Sequence, residues 1–215
     1  MNKRWLGLIF VAASLIFSLA VYNDLPERVA THFGVNGQPD GWSSRGFAAF
    51  GIPLAGLLMF GLFHGLPRIL PRRQNFERFE DTYWAITTLV LAFVFAMHVV
   101  VLGMALGWPV DMPTFVVLGV GSMFVILGNL MPRVKQNWLL GIRTPWTLES
   151  ESVWRETHRI GGRTMVLGGL ITMMGVFFPT EVQPWIAMVG LGVGAFIPLV
   201  YSYILWRREQ RTPVR

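Results

Sequence analysis

Basic residues in this chain crowd into alternate gaps between six apolar stretches and are nearly absent from the remaining gaps. The stretches are Trp5–Tyr22, Phe47–Leu66, Tyr83–Gly107, Thr114–Met131, Thr164–Phe178 and Trp185–Trp206, and none contains Asp, Glu, Lys or Arg. At a helical rise of about 1.5 Å per residue, about 20 residues cross a hydrocarbon core of roughly 30 Å. Five stretches are 18 to 25 residues long. The fifth has only 15, so Arg163 must snorkel, the bilayer must thin locally, or the span must begin as early as Ile160. The expected fold is an all-α polytopic membrane protein with six transmembrane helices in a single domain, 1–215.

The positive gaps fix an expected orientation. Lys3 and Arg4 precede the first stretch, and Arg68, Arg72, Arg73 and Arg78 separate the second from the third. Arg133, Lys135, Arg143, Arg155, Arg159 and Arg163 lie between the fourth and fifth, and Arg207, Arg208, Arg211 and Arg215 follow the sixth. Only Arg28 and Arg45, of 18 Lys and Arg residues, fall elsewhere. The positive-inside rule puts both termini, and the second and fourth loops, in the cytoplasm. A basic inner face favours anionic lipid headgroups. The sequence pI near 10.5 is thereby explained by a membrane, and no nucleic-acid partner is expected. The first apolar run imitates a signal peptide, but it is longer than a typical h-region and Val-Tyr-Asn-Asp lacks the small residues of a cleavage site, so a retained first span is expected.

Chemistry inside the spans is sparse. Without cysteine there is no disulfide, thiolate nucleophile or cysteine metal site. Proton relays and ion-coupled carriers place ionisable groups inside the bilayer, and His98 is the one titratable group expected near mid-membrane. It reads either as a proton or ligand site or as a neutral imidazole bonded to a neighbouring helix. His64 is expected at the interface. Small residues four apart (Ser14 and Ser18, Gly61 and Gly65, Gly103 and Gly107, Gly190 and Gly194) suit close packing of helices within the chain. Pro53 and Pro198 are positioned to kink the second and sixth spans. No metal or cofactor is expected.

Two polar segments hold most of the remaining information. The outer one, Asn23–Arg45, is rich in turn residues at Asn36-Gly37 and Pro39-Asp40-Gly41, and Val29–Phe33 alternates as a short strand would. A loop this long is expected to form a short ordered cap, module 23–46, on which Arg28, His32, Asp40 and Trp42 are the candidate ligand-binding residues. Each also has a plain structural reading, as a residue that pins the cap.

The cytoplasmic module, 132–163, follows Asn129 and Pro132 at the end of the fourth stretch. Trp138, Trp146 and Trp154 suit the headgroup zone. Thr147 is the expected N-cap of an amphipathic cytoplasmic helix over Leu148–Ile160, with Glu149 and Glu151 in its first turn. Glu151, Arg155, Arg159 and Arg163 step four apart, as do Trp154 and His158, which suits a helix lying on the inner leaflet or on the helix bundle. The turn Gly141-Ile142-Arg143-Thr144-Pro145-Trp146 before it is less ordinary.

These segments carry a resemblance. LPERVATHFGVNGQPDGW is similar to the N-terminal module of SdpI-type bacterial membrane proteins, and GNLMPRVKQNWLLGIRTPWTL with VWRETHRIGG is similar to that family's second signature. The second signature matches at Asn129, Pro132, Asn137, Trp138, Gly141, Arg143, Thr144, Pro145, Trp146, Trp154, His158, Gly161 and Gly162. The resemblance implies an integral membrane immunity protein of the bacterial inner membrane, protecting against a secreted antibacterial peptide. It also implies a peptide toxin as partner on the outer face and, in some members, signal transduction to a cytoplasmic regulator. The alternative from the residues alone is a small transporter or exporter of lipophilic peptide or lipid. An enzyme is not expected, since no HExxH, nucleophile motif or carboxylate cluster accompanies His32 or His158.

Overall fold

Apolar runs free of charge become helices because a backbone in hydrocarbon must satisfy its own polar groups. The computed structural model describes residues 3–69 and 73–211. Arg72 and Arg215, two of the basic residues counted above, lie outside the described residues. Six described helices are long and apolar enough to cross a membrane: Lys3–Asp24, Arg45–Arg68, Glu80–Ala105, Met112–Arg133, Glu151–Phe177 and Gln183–Arg211. Their α-helical parts are α1 (Leu6–Val21), α2 (Arg45–Gly65), α4 (Glu80–Ala105), α5 (Met112–Leu130), α7 (Glu151–Met174) and α8 (Gln183–Arg211). Two short helices, α3 (Arg73–Glu77) and α6 (Pro145–Glu149), and two strands, β1 (Arg28–Phe33) and β2 (Pro39–Ser44), complete the described elements.

The chain divides into two compact units, one formed by Met1–Gly65 with Trp84–Val116 and the other by Leu66–Tyr83 with Val117–Arg215. In the first unit the strands form an antiparallel hairpin rooted in helix ends. Leu25 and Val29 are each 1% exposed and pack with Ala48 and Ala49 of α2 and Leu102 of α4, beside Phe17 and Val21 of α1. One buried pair of side chains thus clamps the ends of three helices. Deeper in the same unit, Ser18 donates to the Ala49 carbonyl and lies 2.8 Å from His98 Nε2. A hydroxyl has one proton, so Nε2–H donates to Ser18, and the His98 ring ties α4 to α1 and α2. It is buried about two turns from the end of α4. His64, at the other end of α2, is half-buried, bonds the Phe60 carbonyl through Nδ1 at 2.9 Å and packs among the rings of Trp5, Phe60 and Trp84.

In the second unit α7 lies between α5 and α8 and approaches both through glycine. A Cβ added at Gly162 would lie 2.6 Å from the Gly128 carbonyl oxygen, and one at Gly169 would lie 2.6 Å from that of Gly121. One residue round the helix, a Cβ at Gly168 would lie 2.2 Å from the Gly190 carbonyl oxygen. The paired glycines at 161/162 and 168/169 therefore open two faces of one helix. In a membrane, where lipid tails compete equally for apolar surface, such close backbone approach is what holds helices together. Gly61 and Gly65 meet nothing within 4 Å, so that pair does not pack inside the chain as expected. Gly190 and Gly194 do pack, against α7 and Phe124.

The fifth span departs most from expectation. No separate surface helix covers Leu148–Ile160. Thr144 caps α6, Ser150 caps α7 by accepting from Val153 N–H, and α7 then runs unbroken to Met174. The span is therefore not short, and Arg163 stands within a long helix. Thr147 is not the N-cap expected but the third helical residue of α6, its hydroxyl turned back to the Thr144 N–H and the Ile142 carbonyl. Glu151 does occupy the first turn of α7, while Glu149 instead accepts from Trp206 Nε1 at 2.9 Å. The acid–base contact on α7 is Glu156 with Arg159 at 2.6 Å, not Glu151 with Arg155.

Candidate functional site

The hairpin arises where the sequence can reverse. Gly34 N–H donates to the Gln38 carbonyl and Gly37 N–H to the Gly34 carbonyl, both at 2.9 Å. Gly37 takes φ +75°, which a residue with a Cβ rarely adopts, and an added Cβ would meet Pro113 at 2.6 Å. The tip is therefore held both by its turn and by the start of α5. Pro39-Asp40-Gly41, expected as a second reversal, instead lies in β2. Pairing accommodates it by irregularities between Ala30 and His32 and between His32 and Phe33. These shifts keep Val29 inward while Arg28, His32, Asp40 and Trp42 all emerge as exposed. His32 Nδ1 pairs with the Asp40 carboxylate, and Trp42 is 52% exposed. The four residues nominated from the sequence thus share one small, anchored, solvent-facing hairpin. It presents Arg28, a His32–Asp40 pair and the Trp42 ring on one surface.

The loop from Val134 to Ser150 uses its polar groups differently. Asn137 is 3% exposed, accepting from Leu139 and Leu140 N–H at 2.7 and 2.8 Å and donating to the Lys135 and Leu140 carbonyls. Its amide is fully satisfied by the turn it shapes. Thr144 and Thr147 form a reciprocal capping box at the start of α6, with Pro145 at its first position. Thr147 also donates to the Ile142 or Thr144 carbonyl. Trp146 donates its Nε1–H to Ser202 of α8 and packs beside Tyr203 and Trp206.

Trp154 and His158 form the floor of that loop. Trp154 is 1% exposed, donates to the Val134 carbonyl at 2.9 Å, and stacks on His158 at 4.0 Å. Trp154 is thus a core residue and not the headgroup anchor expected, whereas Trp138 is half exposed. His158 Nδ1 lies 2.8 Å from the Trp154 carbonyl, which only accepts, and Nε2 receives the Ile142 N–H at 3.0 Å. The ring is therefore the neutral Nδ1–H tautomer with both nitrogens engaged. Gly141 has φ +119°, and an added Cβ would lie 2.5 Å from His158 Nε2. Arg143 is exposed and donates to the Trp138 carbonyl at 2.6 Å. Asn129 and Pro132 stand apart at the end of α5, both exposed.

One member of this cluster was not singled out from the sequence. Gln136 is buried, donates to the Thr147 and Leu148 carbonyls at 2.9 and 3.0 Å, and its backbone carbonyl receives the Asn75 side chain. Thr147, expected as the cap of a longer helix, is instead fully buried as the second half of the capping box. Gln136 offered no signal in the sequence. Among the described residues no group of three or more His, Cys or acidic side chains gathers as a metal ion would require.

Comparison with known proteins agrees with this division. The SdpI/YfhL protein family model matches residues 133–202, the segment holding the loop, α7 and most of α8. A domain of unknown function, DUF1648, matches residues 9–57, the segment holding the hairpin. "Immunity protein SdpI" of Bacillus subtilis (strain 168) is 28% identical over 208 residues, covering 97% of this chain and 98% of that one. The chain is SdpI-like. It is a multi-pass membrane protein whose likeness to SdpI extends over nearly its full length. An uncharacterized protein of Archaeoglobus fulgidus is 48% identical over 40 residues, covering 19% of this chain and 22% of its own. No solved structure matches.

Proposed function

We propose that this chain is an immunity protein that protects a bacterial cell from a secreted antibacterial peptide, meeting that peptide at the hairpin. The observation that carries the reading is the near full-length similarity to the immunity protein SdpI, in a chain whose hairpin exposes Arg28, His32, Asp40 and Trp42 together. The basic gaps support an orientation with both termini cytoplasmic, which turns the hairpin outward and the Val134–Ser150 loop inward. A cationic amphipathic peptide would meet Asp40 and Trp42 there, and an anionic one Arg28. Nothing in this role asks for catalysis.

Signalling to a cytoplasmic regulator belongs to the same proposal. Trp138 and Arg143, with Pro145 beside them, are exposed members of the inner motif on the loop and available to such a partner. A coupling of about 1–3 kcal/mol between the two faces would suffice. The test is survival of a sensitive bacterium expressing the intact chain during challenge with purified SDP-type peptide. Survival well above the vector control supports the reading; equal killing at verified membrane abundance contradicts it.

A further inference from the structure

A groove of about 520 Å³ opens in the second unit between the end of α5, the turn at Pro132, and α7. Its origin is the glycine contact. Gly128 and Gly162 bring the two backbones together at the floor, while the larger side chains beside them form raised rims. Asn129 and Pro132 stand on one rim, and Arg159 and Arg163 on the other.

The charge in the groove is incompletely balanced. Arg159 gives one edge of its guanidinium to Glu156 at 2.6 Å. Arg163 has no ion-pair or hydrogen-bond partner among the described residues, and it is exposed. Asn129 binds the Val125 carbonyl through its amide nitrogen at 2.8 Å, leaving a further amide proton and its oxygen available. Two planar guanidiniums one helical turn apart suit a phosphate better than a carboxylate or a halide, since several oxygens can be shared between the two forks.

Below the arginines the same face turns apolar. Val166 closes the groove, and Leu170, one turn further along α7, is exposed. On α5, Ile126 and Leu118 are exposed on the side that carries Asn129. A cationic head above an apolar track of about 10 Å, from Arg163 to Leu170, is the imprint of an amphiphile. A soluble anion would use the head and leave the track idle.

We infer that this groove is a specific site for an anionic phospholipid, its phosphate held between Arg159 and Arg163 and an acyl chain lying along Val166 and Leu170. The site does not depend on the immunity reading, since it rests on the groove and its two arginines.

The experiment uses the full-length protein in phosphatidylcholine nanodiscs doped with spin-labelled phosphatidylglycerol, reading the motionally restricted lipid fraction. Removing Arg159 and Arg163 (R159Q/R163Q) should weaken retention by about fivefold for each arginine lost. The charge-matched control R207Q/R211Q should keep it. R163Q alone carries the test if the double variant folds poorly, because Arg163 supports no contact of its own.

Equal retention by wild type and both Arg159/Arg163 variants overturns the site. Equal loss in the R207Q/R211Q control overturns its specificity, leaving only net charge. Inorganic phosphate displacing the labelled lipid at millimolar concentration would overturn the lipid assignment in favour of a soluble phosphate. Persistence of the restricted signal in phosphate, with loss on R159Q/R163Q, is the result expected.

Discussion

The hairpin and the Val134–Ser150 loop are both polar, glycine-bearing segments with two aromatic residues each, yet they spend their side chains in opposite ways. The hairpin buries two aliphatic side chains, Leu25 and Val29, and holds Arg28, His32, Asp40 and Trp42 out to solvent. The loop buries its polar groups, Gln136, Asn137, Thr144 and Thr147, over His158 of α7, and satisfies them locally, mostly with backbone groups. Motif density alone therefore does not separate recognition from architecture. Where the hydrogen bonds go does separate them. A side chain whose donors and acceptors are consumed locally has none to offer a ligand, whereas exposed ones keep some, as His32 and Asp40 do beyond their mutual pair.

Substitutions should divide along that line, and the largest effect belongs to the glycine contacts. Gly168→Leu drives a side chain into the Gly190 carbonyl and should destabilise by about 3 kcal/mol or more, seen as loss of folded protein in detergent extracts. Ordinary membrane yield and melting temperature would show that the α7–α8 approach is dispensable.

Gly141→Ala comes next. It combines a left-handed φ with a contact on His158 Nε2 and should cost about 2–4 kcal/mol, read from thermal unfolding. His158→Ala leaves the buried Ile142 N–H without its acceptor and removes the stack on Trp154. That should cost about 1–3 kcal/mol, and His158→Asn should recover little, since it cannot span both bonds. Replacing Arg28, His32, Asp40 and Trp42 together by Ala should change stability least, by about 0.5 kcal/mol or less per site, because all four are exposed. A large loss of melting temperature there would make the hairpin residues structural and erase the contrast.

Much of this organisation was readable beforehand, for identifiable reasons. Six helices follow from apolar runs without charge, and the Asn36-Gly37 reversal follows from turn chemistry. The fifth helix was cut short because Arg155, Arg159 and Arg163 interrupt its apolar run, although they simply occupy an exposed face of a helix that continues past them. β2 was hidden by Pro39-Asp40-Gly41, which favours a turn in isolation and becomes a strand only through irregular pairing with β1. The capping role moved from Thr147 to Ser150 because Thr147 bonds backward into its loop. Spacing four apart picked out Gly190 and Gly194, which pack, and Gly61 and Gly65, which do not, and it passed over the close approaches at Gly121, Gly128, Gly162 and Gly169. Which glycines face a neighbour depends on the partner helix, and one helix's sequence does not contain that.

The most direct test of the contrast is protection per inserted molecule, measured for the hairpin quadruple-alanine variant and for His158→Ala in a peptide-challenged sensitive strain. Membrane abundance is quantified in the same cells. The expected result is that the hairpin variant accumulates normally and protects nothing, while His158→Ala accumulates poorly but protects in proportion to what remains. The opposite pattern, full protection without the hairpin side chains and none from properly inserted His158→Ala, would contradict the account and move recognition to the Val134–Ser150 loop.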